Sequence, residues 1–162
     1  MLAGQLGELL RERGLTVAVA ESCTGGMVGS LITDQPGSSA YFLGGVIAYS
    51  DQAKRDELAV PAALLKRVGA VSPEVAQAMA EGTRSRFGTD LAVGVTGIAG
   101  PDADGSGKPV GLTYVAVASE HGSSAHEYRF AGDRGSNRRQ AAAKALRLLA
   151  EEARSVVKVK TA

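Results

Sequence analysis

The sequence predicts an α/β fold: a three-layer α/β/α sandwich on a mixed five-stranded sheet whose fourth strand runs antiparallel. Three observations carry it. Apolar, strand-like runs alternate with helix-period segments along most of the chain. Three of the runs leave into polar, glycine-punctuated segments, "ESCTGG", "AYSDQAK" and "TGIAGP". Ligands in open α/β sheets sit at such strand ends, and these converge on one edge if strands one, two and three are parallel. Finally, no helix separates strand three from four, or four from five, whereas a parallel pairing needs a crossover of a dozen or more residues, so strand four reverses.

The elements follow in order. "LAGQLGELLRERG" places Leu2, Leu6, Leu9 and Leu10 on one helical face and closes on Gly14 as a C-terminal cap. "TVAVA" (16–20) is a buried strand, and "GGMVGSLITD" continues as a helix with Val28, Leu31 and Ile32 inward. After the turn-rich "QPGSS", "YFLGGVIAYS" (41–50) reads as strand two, its glycine pair marking a close backbone approach. Polar "DQAKRDEL" follows without an assigned element. In 72–88, Ser72 is the N-cap, Pro73 takes the first helical position, Glu74 and Glu81 face water and Gly88 stops the helix. "DLAVGVTGIAG" (90–100) is strand three, opening into the loop "GPDADGSGKPVG"; 112–119 and 125–132 are strands four and five. Residues 137–154 close the chain as a helix with Ala142, Leu146, Leu149 and Ala153 on its core stripe, and "VVKVKTA" is expected to fray.

Composition bounds the function. The 162 residues suit one domain, 1–162, with no linker or internal repeat. A net charge of +1, 4% aromatic residues and no Trp argue against a nucleic-acid surface. A single Cys forms no internal disulfide and no apolar run is long enough to span a bilayer, so the expectation is a cytoplasmic protein without a membrane partner. No His/Cys/Asp/Glu cluster has metal-ligand spacing, and neither GxGxxG nor GxxxxGK[ST] occurs; the expectation is no cofactor and no metal.

Ser22 in "AESCTGG" stands where a strand turns into a helix. A lone Ser there is more often an N-cap than a nucleophile, and Cys23 is more often a small buried hydrophobe. His121 and His126 flank a turn between strands four and five, so Ser22 has no imidazole base. A neutral lysine is the alternative base, provided burial lowers its pKa, and Lys54 at the end of strand two is the candidate. Tyr49, five residues earlier, offers a buried hydroxyl to relay a proton or hold the amine.

"AESCTGG", "GGVIAYSDQAK", "VTGIAGP" with "KPVG" after it, and "FAGDRGSNRRQAA" occur in an order and spacing that resembles the CinA C-terminal domain family, the nicotinamide-mononucleotide amidohydrolases. The resemblance covers essentially the whole chain and suggests the stand-alone form. It implies hydrolysis of the carboxamide of nicotinamide mononucleotide to nicotinate mononucleotide and ammonia by a metal-free Ser–Lys mechanism, with Ser22, Tyr49 and Lys54 at the family's matching positions. The loop "DADGSGK" departs from many members. Under this reading the amides of Thr24, Gly25 and Gly26 form the oxyanion hole, Arg134 and Arg138 hold the substrate phosphate, and Thr96 and Gly97 line the nicotinamide or ribose. A homo-oligomer is expected, with a small nucleotide as ligand. Two other classes are a non-catalytic nucleotide-sensing module and a competence or DNA-damage accessory; near-neutral charge argues against the second.

Overall fold

Helix α1 (Leu2–Arg13) opens the chain in the computed structural model, which describes residues 1–158. Leu6 and Leu10 are buried, Leu2 and Leu9 pack beside them, and Gly14 ends the helix at φ 63°. Strand β1 (Val17–Glu21) is buried at every position. It feeds α2 (Met27–Thr33), whose Val28 and Ile32 point inward while Leu31 is half-buried. Strand β2 (Phe42–Ile47) stops three residues short of the expected end: it is an edge strand paired only with β1, and β1 ends at Glu21, opposite Ile47. At Gly45 a Cβ would lie 2.6 Å from the Val19 carbonyl oxygen, which is the close approach the glycine pair foretells.

Two helices lie where none was assigned, α3 (Asp51–Leu58) and α4 (Ala62–Val68). Helix α5 (Pro73–Phe87) forms as expected, with the Ser72 hydroxyl accepting from the Val75 amide. Strands β3 (Leu91–Gly97), β4 (Leu112–Ser119) and β5 (Gly122–Arg129) follow. Strand β5 begins three residues before the expected start because Ser119 pairs with Gly122 across a two-residue turn, Glu120 and His121. Helix α6 (Arg134–Ser155) likewise starts three residues early, at the Asp133 carboxylate that accepts from the Ser136 amide.

The strand order is β2-β1-β3-β4-β5, with β1 parallel to β2 and β3, and β4 antiparallel to β3 and β5. Helices α1, α2 and α6 cover one face through a core that includes Leu10, Ile32, Val93, Val115 and Leu149. Helices α3, α4 and α5 cover the other through Ala20, Leu58, Leu65, Val75 and Met79. This is the predicted three-layer sandwich. Because β4 reverses and β5 reverses again, β5 ends on the same edge as β1, β2 and β3, and the start of α6 is delivered there.

The expected fraying does not extend to residues 156–158. Val156 is buried, its carbonyl accepts from Arg13, and Lys158 reaches Asp90 at 3.1 Å; residues 159–162 lie outside the described residues. Among the described residues no helix is long and apolar enough to cross a membrane.

Candidate active site

A cleft of about 230 Å³ opens at the carboxyl edge of the three parallel strands. Ser22 and Cys23 line it after β1, Tyr49, Asp51 and Lys54 after β2, Thr96 and Gly97 at the end of β3 and Gly100 beyond it, with Arg134 arriving from α6.

At its base the Lys54 ammonium nitrogen lies 3.3 Å from Ser22 Oγ and 3.2 Å from the Tyr49 carbonyl oxygen. The Lys54 side chain is 1% exposed and Ser22 is 7% exposed. Burial lowers the lysine pKa; the Asp51 carboxylate, one turn earlier on α3, pulls the other way. The local sequence explains the burial. Ser50 caps α3 by accepting from the Ala53 amide, and Lys54 and Leu58, four residues apart, form its inward face.

Tyr49 corrects the expectation of a buried relay. Its side chain is 61% exposed, and its hydroxyl is bound by Arg134 Nη2 at 3.2 Å; the backbone carbonyl, not the phenol, holds the Lys54 amine. Cys23 is buried, and loss of solvation pushes its thiol up to about 11, so the thiolate that would compete with Ser22 does not form near neutral pH.

The expected oxyanion hole also needs correction. Glu21 is 1% exposed, and its carboxylate accepts from the amides of Gly26 (3.0 Å), Val28 (3.1 Å) and Gly29 (2.8 Å). The first turn of α2 is therefore already occupied by an anion from its own chain. The Gly25 amide is spent on the Ser22 carbonyl, at 3.1 Å. Of the three amides expected there, only that of Thr24 makes no hydrogen bond among the described residues.

Arg134 lines the cleft mouth, with Nη1 bound to the Gly100 carbonyl at 2.7 Å. Arg138 stands outside the lining residues. Its Nε donates to the Cys23 carbonyl (3.0 Å) and its Nη2 to the Thr24 carbonyl (3.1 Å), so the guanidinium expected to hold phosphate is committed to the Ser22 turn. Thr96 lines the cleft but donates its hydroxyl to the Ala70 carbonyl at 2.9 Å, fixing the segment between α4 and α5; Gly97 lines the same wall.

Sequence reasoning missed Glu21 as the α2 anchor and Asn137 as a tie. Asn137 is buried, donates to the Ala99 carbonyl and accepts from the Gly132 amide, both at 3.0 Å. Its signal was present: it stands four residues before Ala141 and eight before Ala145 on a stripe that is otherwise apolar. Among the described residues no group of three His, Cys, Asp or Glu side chains could hold a metal ion.

The CinA C-terminal domain model matches residues 1–153. A CinA-like protein of Geobacter sulfurreducens is 53% identical over 87% of this chain and 34% of its own length. A putative competence-damage inducible protein of Halothermothrix orenii is 51% identical over 85% of this chain and 33% of its own. The chain thus spans about a third of the length of these curated relatives. Among solved structures, a competence-damaged protein (CinA) superfamily protein from Klebsiella pneumoniae superposes with a TM-score of 0.93 at 32% identity, covering 96% of this chain and 97% of that one. The competence/damage inducible protein CihA from Agrobacterium tumefaciens gives 0.82 at 39% identity, over 90% and 94% of the two chains.

Proposed function

Since the chain belongs to the CinA C-terminal domain family, we propose that it is an amidohydrolase that converts the carboxamide of nicotinamide mononucleotide to the carboxylate, releasing ammonia. One observation carries the reading: a buried lysine amine, its pKa lowered by desolvation, within 3.3 Å of a serine hydroxyl at the base of a cleft. That is the pairing a hydroxyl nucleophile needs where no imidazole stands beside it.

Neutral Lys54 accepts the Ser22 proton as Oγ attacks the amide carbon. The resulting ammonium returns the proton to the departing nitrogen, which leaves as ammonia. Lys54 then takes a proton from the water that attacks the acyl-serine, and collapse frees the carboxylate and restores Ser22. At the mouth, Arg134 supplies the cation for the substrate phosphate, a phosphate oxygen replacing the Tyr49 hydroxyl on Nη2. Asp51, Asp102 and Asp104 line the same cleft and suit a cationic pyridinium ring better than a neutral one. As a small-nucleotide enzyme it is proposed to work as a homo-oligomer in the cytoplasm.

The test is ammonia release across a panel of pyridine carboxamides with and without ribose phosphate, for the wild type and Ser22→Ala. The expected result is turnover of the mononucleotide and a loss of roughly 10³-fold or more in kcat for Ser22→Ala, with substrate binding retained. An active Ser22→Ala protein would end the Ser–Lys mechanism. Stoichiometric binding of the mononucleotide without ammonia release would identify a sensing module instead.

A further inference from the structure

The geometry points to Arg138 as a positioning residue for the oxyanion site: by holding the carbonyls of Cys23 and Thr24 it orients the peptide after the nucleophile, so that the Cys23 and Thr24 amides meet the charge that develops on the substrate oxygen. The inference rests on the amidohydrolase reading.

Few backbone donors remain free near Ser22. The oxyanion forms on the carbon bonded to Ser22 Oγ, so its donors must come from chain close to Ser22. The amides of Gly26, Val28 and Gly29 are bound to Glu21, and that of Gly25 to the Ser22 carbonyl. The Cys23 and Thr24 amides make no hydrogen bond among the described residues, although Cys23 is 7% and Thr24 0% exposed. Buried amides are almost always paired, so two adjacent unpaired ones beside a nucleophile point to a ligand atom.

Their direction follows from peptide planarity. In a trans peptide the carbonyl and the N–H point in opposite directions. The Ser22 carbonyl is fixed on the Gly25 amide, which sets the Cys23 N–H. The Cys23 carbonyl is fixed on Arg138 Nε, which turns the Thr24 N–H away from α6. Arg138 Nη2 on the Thr24 carbonyl closes the clamp. Gly25 accommodates it: the residue adopts φ +58°, and a Cβ there would lie 3.3 Å from Arg138 Nη2. A guanidinium spans both carbonyls with donors in a rigid fork, which an ammonium does not.

The test compares wild type, Arg138→Lys and Arg138→Gln on nicotinamide mononucleotide and on its phosphate-free nucleoside. Thermal unfolding is measured alongside, and Arg138→Lys, which keeps the charge but not the planar fork, serves if Arg138→Gln does not fold. A misplaced oxyanion donor should lower kcat by roughly 10- to 100-fold, by the same factor on both substrates. KM should stay within about twofold and the pH midpoint of the rate should not move, because Lys54 is untouched. A loss seen in KM and confined to the phosphorylated substrate would overturn the proposal and make Arg138 a phosphate ligand. Unchanged kcat would overturn it as well.

A second readout separates this inference from the choice of substrate. Diisopropyl fluorophosphate reacts with an activated serine: the Oγ–P bond forms, fluoride leaves, the Ser22 proton passes to Lys54, and the phosphoryl oxygen occupies the oxyanion site. Labelling of Ser22 should be slowed at least about tenfold in both Arg138 variants. If the wild type releases no ammonia from either carboxamide but labels, the amidase reading fails and the labelling ratio still decides the role of Arg138. A wild type that neither turns over nor labels overturns both.

Discussion

Lys54 is a charged residue type kept almost entirely from water with its amine between a hydroxyl and a carbonyl, neither of which neutralises it. Its depressed pKa sets the sign of the pH dependence. The protonated form is inactive as a base, so kcat should rise with pH along a midpoint below the ordinary lysine value of about 10.4 and level off once the amine is neutral. Lys54→Arg keeps the charge but cannot deprotonate in this range, and should be as inactive as Lys54→Ala. The pH–rate profile of wild type beside the Arg variant checks both; an Arg variant keeping more than about a tenth of kcat leaves less than about 1.4 kcal/mol for proton transfer and removes Lys54 as base. The Ser22–Lys54 approach was legible in the sequence because both residues follow strand ends that share one edge. The direction of Tyr49 was not. It lies beyond the last paired residue of β2, where strand alternation no longer dictates which way a side chain points.

The elements that escaped sequence reasoning are the short ones. Helices α3 and α4 have eight and seven residues, and the first is polar apart from Ala53 and Leu58, so neither offers two turns of apolar periodicity. What fixes them is tertiary: Leu58 and Leu65 bury against Val75 and Met79 of α5. The Ser50 cap and the Lys54–Leu58 spacing were the available signals. Helix α2 is equally short and is anchored by the Glu21 carboxylate. Glu21→Gln removes the charge and sets an amide NH2 against backbone donors. It should lower stability by about 2 kcal/mol or more, which is a melting-temperature drop of roughly 4–8 °C for a chain of this size. Calorimetry at pH 7 checks this, and a drop under about 2 °C would mean that the helix holds its place by packing alone.

At the scale of the molecule, the mixed sheet was readable from connection lengths, whereas the return of α6 to the cleft edge required knowing that β5 pairs with β4 alone and therefore restores the direction of β3. Arg134, Asn137 and Arg138 all reach the site through that return. The same topology leaves the Glu120–His121 turn at the opposite edge, where both side chains are well exposed. The cleft and this turn thus lie at opposite ends of the strands. A short Gly/Ser insertion between Glu120 and His121 should change kcat by less than about twofold, since exposed loop tips far from function tolerate added chain. The same insertion between Gly105 and Ser106, in the loop that carries the cleft residues Asp102 and Asp104, should alter turnover measurably in the ammonia assay. Equal losses at the two places would contradict this division. The exposed Glu120–His121 turn is therefore the natural handle: an affinity tag, a fluorophore or the tether to a solid support belongs there, where the attached protein would present its cleft outward to the solution.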